Sequence, residues 1–102
     1  MRKIDKLTAD DWRRYGAQVK TIDRLLGTFY CDTCRKLGKS HPLAKKAEKN
    51  YKDFTHIKCK LDDLVCAQDD RTGRSLLGDE AISVFYGEYT DRQKELMEED
   101  NN

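Results

Sequence analysis

The stretch Leu37-Gly38-Lys39-Ser40-His41-Pro42-Leu43 decides the fold. It closes one helical pattern and opens another within four residues. Gly38 stands where a helix C-terminal glycine belongs, because glycine enters the left-handed region without a Cβ penalty. Lys36 and Lys39 suit the negative end of that helix. Pro42 fits the first position of the next helix, where its missing N–H is not needed, with Ser40 or His41 as the cap.

Upstream of this turn runs an apolar stripe: Trp12, Tyr15, Val19, Ile22, Leu26, Phe29, Thr33 and Leu37. Its steps are three or four residues throughout, a coiled-coil-like seam held for about three and a half heptads. Thr8-Ala9-Asp10-Asp11 reads as its start, with Thr8 as cap and the acids at the positive end of the helix dipole. Gly16 and Gly27 lie inside the stripe, each weakening the helix by about 1 kcal/mol relative to alanine, and Gly27 is the expected kink. Downstream, a second stripe runs Leu43, Ala47, Asn50 or Tyr51, Phe54, Ile57, Leu61 and Leu64, until Asp69-Asp70-Arg71-Thr72-Gly73 breaks it as a loop.

Two helices of similar length joined by so short a turn pack antiparallel. The spacing predicts helix 1 over about 9–37, roughly 43 Å long, and helix 2 over about 42–68, roughly 40 Å long. Folding about the turn pairs residues whose numbers sum to about 80. Leu37 then meets Leu43, Phe29 nears Tyr51, Leu26 meets Phe54, Ile22 nears Ile57, Val19 meets Leu61, and Tyr15 or Gly16 meets Leu64 and Val65. Residues of about 75–99 complete the chain. Ile82, Phe85, Tyr86, Tyr89, Gln93, Leu96 and Met97 fit a helical face. The run Ala81–Tyr86 also has strand propensity, but a lone strand would find no partner. Gly87 and Thr90 split this segment, with Thr90-Asp91 capping the second piece. The expected fold is therefore all-α: a long antiparallel helical hairpin plus a shorter C-terminal helical segment, a small helical bundle in one domain over residues 1–102.

Composition bounds the function classes. Charged residues make up 38% and the hydrophobic set 37% of 102 residues, which suits a thin helical structure with much surface. No run of 18 apolar residues is present, so no membrane span is expected. The basic start at Met1 lacks an apolar stretch behind it, so no secretory signal is expected, and the expected location is the cytoplasm. Four cysteines in such a chain are expected as thiols or metal ligands rather than disulfides. Charge is strongly polarised: residues 1–34 hold seven basic and five acidic residues, 35–60 nine and two, and 61–102 four and twelve.

Three features compete to carry chemistry. Cys31 and Cys34 have metal-ligand spacing, but Cys59 and Cys66 are seven apart and complete no zinc pattern. In the hairpin, Cys59 lies opposite residue 21, about 15 Å along the axis from Cys31, whereas zinc needs its sulfurs about 2.3 Å from one point. A four-ligand site and the hairpin exclude each other; the expectation is no cofactor and no metal, with Cys31, Cys34, Cys59 and Cys66 as the zinc candidates of a rival reading. The cluster Arg35, Lys36, Lys39, Lys45, Lys46, Lys49 and Lys52, continued by Lys58 and Lys60, would attract a phosphate backbone or an acidic partner. The acidic C-terminal segment could dock on that surface. No carboxylate or histidine is set in an apolar pocket, no glycine-rich phosphate loop occurs, and Ser40-His41 is explained as a cap, so no catalytic residue is assigned.

The sequence thus points to a non-enzymatic interaction or regulatory protein acting through a helical surface, with a protein partner and a capacity to form homo-oligomers through flanks such as Leu25, Tyr30 and Val65. The rivals are a nucleic-acid-binding accessory protein using the basic 35–60 surface and a small zinc-binding module.

Overall fold

Thr8 opens the first helix of the computed structural model, which describes residues 6–68 and 76–101. The expected loop Asp69–Gly73 and the basic start of the chain lie outside the described residues. Thr8 Oγ1 accepts the Asp11 N–H at 3.1 Å while Asp11 Oδ2 accepts the Thr8 N–H at 2.9 Å, a reciprocal capping box. Helix α1 (Ala9–Leu37) then runs through Gly16 and Gly27 without a break. It stops at Gly38, whose φ of 90° ends the helical path and whose N–H reaches Cys34 O at 2.9 Å. His41, rather than Ser40, caps α2 (Pro42–Ala67): its Nδ1 accepts the Leu43 N–H at 3.1 Å, which puts the neutral ring's proton on Nε2.

After residue 76 a 3₁₀ turn at Gly78–Glu80 leads into α3 (Ala81–Val84), and Thr90 caps α4 (Asp91–Asp100) with a second capping box through Gln93. Strands are absent among the described residues, so Ala81–Val84 is helix and not strand. The chain is a hairpin of α1 and α2 with α4 packed on α1, inside an envelope of 53 × 30 × 23 Å.

The antiparallel register is the expected one. Lys58 Nζ reaches Asp23 Oδ2 at 3.3 Å, Tyr51 lies against Gly27, and the Tyr30 and Tyr51 rings are 6.3 Å apart. The face turned inward is only partly the expected one. Trp12, Val19 and Val65 are buried, with Phe54 and Leu61 packed beside them, so Trp12 does sit at the far end of α2. Tyr15, Ile22, Phe29, Leu37, Leu43, Ile57 and Leu64 instead stay exposed. Small side chains, Ala44 and Ala47, fill the contact toward the turn. Val65, expected to lack cover, is completely buried; Tyr30 is half-buried, and Leu25 alone of those three is exposed.

The thick part of the core lies at the end away from the turn. There Leu77, Ala81, Val84 and Phe85 of the C-terminal segment close over Trp12, Val19 and Val65. Phe85 meets Trp12 edge to face at 6.2 Å and Tyr15 at 6.1 Å, geometries that aromatic quadrupoles favour. Within the segment, Ile82 and Tyr86, both expected on the inward face, point outward, and Ala81 and Val84 are buried in their place.

Candidate interaction surfaces

The segment that closes the core is held by a polar node. Lys20 is buried on α1, and its ammonium donates to Ser83 O at 2.6 Å, Glu88 O at 2.7 Å and Gln93 Oε1 at 2.7 Å. Gln93, buried on α4, donates from Nε2 to Arg13 O and Val84 O, each at 3.0 Å, and its Oε1 also accepts the Thr90 N–H. Burial pushes the Lys20 pKa down, but all three ammonium protons have acceptors, which makes the buried charge tolerable. Gly16 lets this happen: a Cβ there would lie 2.1 Å from Val84 O.

Ion pairs seal the rim. Arg13 binds Glu80 through Nε at 2.6 Å and Asp10 through a terminal nitrogen at 2.7 Å, and Arg92 grips Asp10 at 2.7 Å. Hydrogen bonds from Arg92 and then Arg13 hold the Asp10 carboxyl down at about 2. Arg14 reaches Asp100 at 3.3 Å. The acidic C-terminal segment therefore docks within the molecule on Arg13, Arg14 and Lys20 near the start of α1, not on the basic residues of 35–49 around the turn. Only Lys58 of the basic run is drawn in, paired with Asp23 and lying 4.7 Å from the Tyr86 ring centroid.

Because the segment covers one side of the hairpin, the other side is bare but for the edge contact of Phe85 with the Tyr15 ring, which leaves Tyr15 40% exposed. On α1, Tyr15, Ile22 and Phe29 follow at seven-residue steps. On α2, Leu43, Asn50, Ile57 and Leu64 do the same. Seven residues are almost two turns, so each set forms a straight row along its helix, and the two rows flank the groove between the helices. Phe29 is 60% exposed, Leu43 56% and Ile57 53%. The exposed apolar surface of these rows is on the order of 600 Å², scaled from the area large side chains carry. That is the upper end of the apolar patch size found on monomeric proteins, and patches of that size are often functional.

The basic candidates gather around the turn. Arg35, Lys36, Lys39, Lys45, Lys46, Lys49 and Lys52 are all exposed. Arg35 pairs with Asp32 one turn away and Lys52 with Glu48 at 2.6 Å. Lys45, Lys49 and Lys52 share one face of α2 and point away from the bare rows, by the helical period.

The cysteines are dispersed. Cys31 and Cys34 lie near the end of α1, Cys59 sits mid-way along α2 with its Sγ 3.2 Å from Tyr86 Oη, and Cys66 is at the far end of α2. No group of three His, Cys, Asp or Glu side chains among the described residues is placed to hold a metal ion. The contact with Cys59, then burial, pushes Tyr86 up to about 12; burial pushes the Cys66 thiol up; and burial, with Asp63 beside it, raises Asp62. All three shifts favour the protonated form, the opposite of what activates a nucleophilic thiolate or a phenolate base. A groove of about 440 Å³ between α1 and α4, bordered by Tyr15, Ala17, Leu96 and Met97, has Arg14 and Asp100 at its mouth, already paired with each other.

Two of these features escape a reading of the sequence. Lys20 looks like an ordinary polar position, and although Gln93 falls on the expected face of the C-terminal segment, nothing in the sequence pairs it with Lys20. Gly16 carried a usable signal, since a glycine in the inward face of a long helix marks a place where another backbone comes close. Among the described residues, no helix is long and apolar enough to cross a membrane. No family model, no curated protein and no solved structure matches this chain.

Proposed function

We propose that this chain is a non-enzymatic interaction protein of regulatory type, working in the cytoplasm through the bare face of its helical hairpin. One observation carries the reading: Tyr15, Ile22, Phe29, Leu43, Ile57 and Leu64 are large apolar side chains left exposed in aligned rows while a separate, closed core forms elsewhere. Water penalises such a surface, and a partner that covers it recovers the hydrophobic free energy. The four thiols suit a reducing compartment. A photoreactive phenylalanine analogue placed at Phe29 or Ile57 in the native host tests this. The expected result is covalent adducts from both positions and none from the same probe at Glu98. Equal labelling from all three positions would remove the reading.

A second reading rests on the exposed cations around the turn. An accessory protein for nucleic acid would use Lys36, Lys39, Lys45, Lys46 and Lys49 against phosphates, with affinity falling steeply as salt rises. Replacing Lys45, Lys49 and Lys52 by glutamate is then expected to abolish DNA or RNA retention at low salt. Failure of the unaltered protein to shift a duplex or single-stranded probe at low salt would remove it.

A further inference from the structure

We propose that the partner on the bare face is a second copy of this chain, related by a two-fold axis that sets the hairpin turns at opposite ends of a four-helix bundle. This rests on the reading of that face as a docking surface and names its occupant.

Three observations support a second copy. The first is area. About 600 Å² of apolar side chain per copy, with the polar rim beside it, approaches the roughly 800 Å² each partner contributes to a standard specific interface. The second is symmetry. Ile22 and Ile57 lie at one level, mid-way along the hairpin, by the register that pairs Asp23 with Lys58. A two-fold axis at that level sets Ile22 against Ile22 and Ile57 against Ile57 of the other copy, with Tyr15 opposite Phe29. An isologous interface needs such self-complementarity. The rows step by seven residues, the period on which antiparallel bundle helices interdigitate.

The third is charge. The turn end carries Arg35, Lys36, Lys39, Lys45, Lys46 and Lys49. The other end carries Asp62 and Asp63 on α2 and the acidic α4, including Glu98 and Glu99. With turns at opposite ends, the basic tip of each copy comes to the end of the other that carries the net negative charge, with α4 itself on the side of α1 away from the shared face. With turns at the same end, two basic tips would be forced together. Attraction steers the first arrangement and repulsion opposes the second.

Sedimentation equilibrium of the full chain across a wide concentration range, at low and high salt, is the test. The expected result is a monomer–dimer equilibrium that weakens with added salt, since screening removes the end-to-end attraction. Phe29→Glu or Ile57→Glu is expected to raise the dimer dissociation constant at least about a hundredfold, because each change strikes the interface twice. Ile82→Glu, on an exposed side chain off this face, is expected to leave it unchanged, and far-ultraviolet circular dichroism checks that each variant stays helical. A photoreactive analogue at Phe29 is expected to link to the tryptic peptide Tyr15–Lys20 of the other copy. Linkage between copies, read in the crosslinked dimer, to peptides around Tyr51 instead would overturn the orientation and with it the proposal. A strict monomer at every concentration overturns it as well. If the Phe29 probe nevertheless captures another protein in the native host, the docking surface stands and only its occupant changes; if it captures nothing, both fall.

Discussion

Alanine at Gly16 and alanine at Gly27 are the same change in the same helix, and they are expected to have opposite signs. In a free helix each would stabilise by about 1 kcal/mol, because glycine gives up more backbone entropy on ordering. At Gly27 the new Cβ would meet Tyr51 Cε2 at 3.0 Å and the next ring atoms at 3.6 Å. That ring edge is half-buried and shifts a few tenths of an ångström, so the net effect runs from neutral to about 1 kcal/mol stabilising. At Gly16 the Cβ would lie 2.1 Å from Val84 O, 2.6 Å from Val84 Cγ1 and 2.8 Å from Gln93 Nε2. The first is a backbone atom, and it must retreat by at least about 1.3 Å to reach ordinary contact at 3.4 Å. Retreat breaks the Gln93 hydrogen bond to Val84 O, and Gln93 is the side chain on which Lys20 also rests. Overpacking of this kind costs about 1–3 kcal/mol, and a buried amide left without its partner costs about 1–3 kcal/mol more. After the helix gain is returned, Gly16→Ala is expected to destabilise by about 3 kcal/mol. Urea unfolding followed by circular dichroism reads both variants. For a chain of this size a loss of about 3 kcal/mol lowers the midpoint by roughly 2 M. If the two variants agree within about 0.5 kcal/mol, the close approach of α3 to α1 is refuted.

Lys20→Met keeps the stem but deletes the ammonium, leaving Ser83 O and Glu88 O without that donor; it is expected to cost about 2 kcal/mol, with amide exchange over residues 83–93 accelerating more than in α2. Unchanged protection there would contradict the role given to this side chain. Asp10 is a carboxyl whose pKa is depressed in the folded chain to about 2 by Arg92 and Arg13, so its contribution is present above its ordinary value near 3.8 and lost as the pH falls toward 2. Discounted for solvent screening, that contribution is about 1 kcal/mol. Asp10→Asn is therefore expected to lose about 1 kcal/mol at neutral pH, with the deficit shrinking as the pH falls below 3.8 and gone below about pH 2, checked by urea unfolding at several pH values; a deficit that is constant with pH would refute the pairing.

Helix boundaries were readable because their causes are local: Thr8, Gly38, His41-Pro42 and Thr90 each act on backbone groups within a few residues. The register was readable because a short turn leaves an antiparallel pair little choice of alignment. The inward face was not, for a physical reason. The apolar arc on each long helix is wider than the contact two helices make, so an apolar stripe marks what could be buried and not which half is. Contact positions went to Gly27, Ala44 and the ion pair of Asp23 with Lys58, residues that do not register as apolar anchors, and to Ala47, the smallest residue of the expected stripe. The rows Tyr15-Ile22-Phe29 and Leu43-Ile57-Leu64 were left over. The basic cluster was legible as a cluster. The acidic segment's landing place was not, because Arg13 and Arg14 stand in a stretch of nearly balanced charge and only the tertiary path of residues 76–101 brings acids to them.

The division of the hairpin into a core side and a bare side is tested most directly at two consecutive residues of α2. Val65 is 0% exposed and Leu64 is 45% exposed. Lysine is introduced at each in turn, and unfolding in urea is followed at dilute concentration, where any association is dissociated. Val65→Lys is expected to remove at least about 4 kcal/mol, because it places a charge in an apolar core, whereas Leu64→Lys is expected to change stability by no more than about 0.5 kcal/mol. Losses of equal size, or a larger loss at Leu64, would contradict the account.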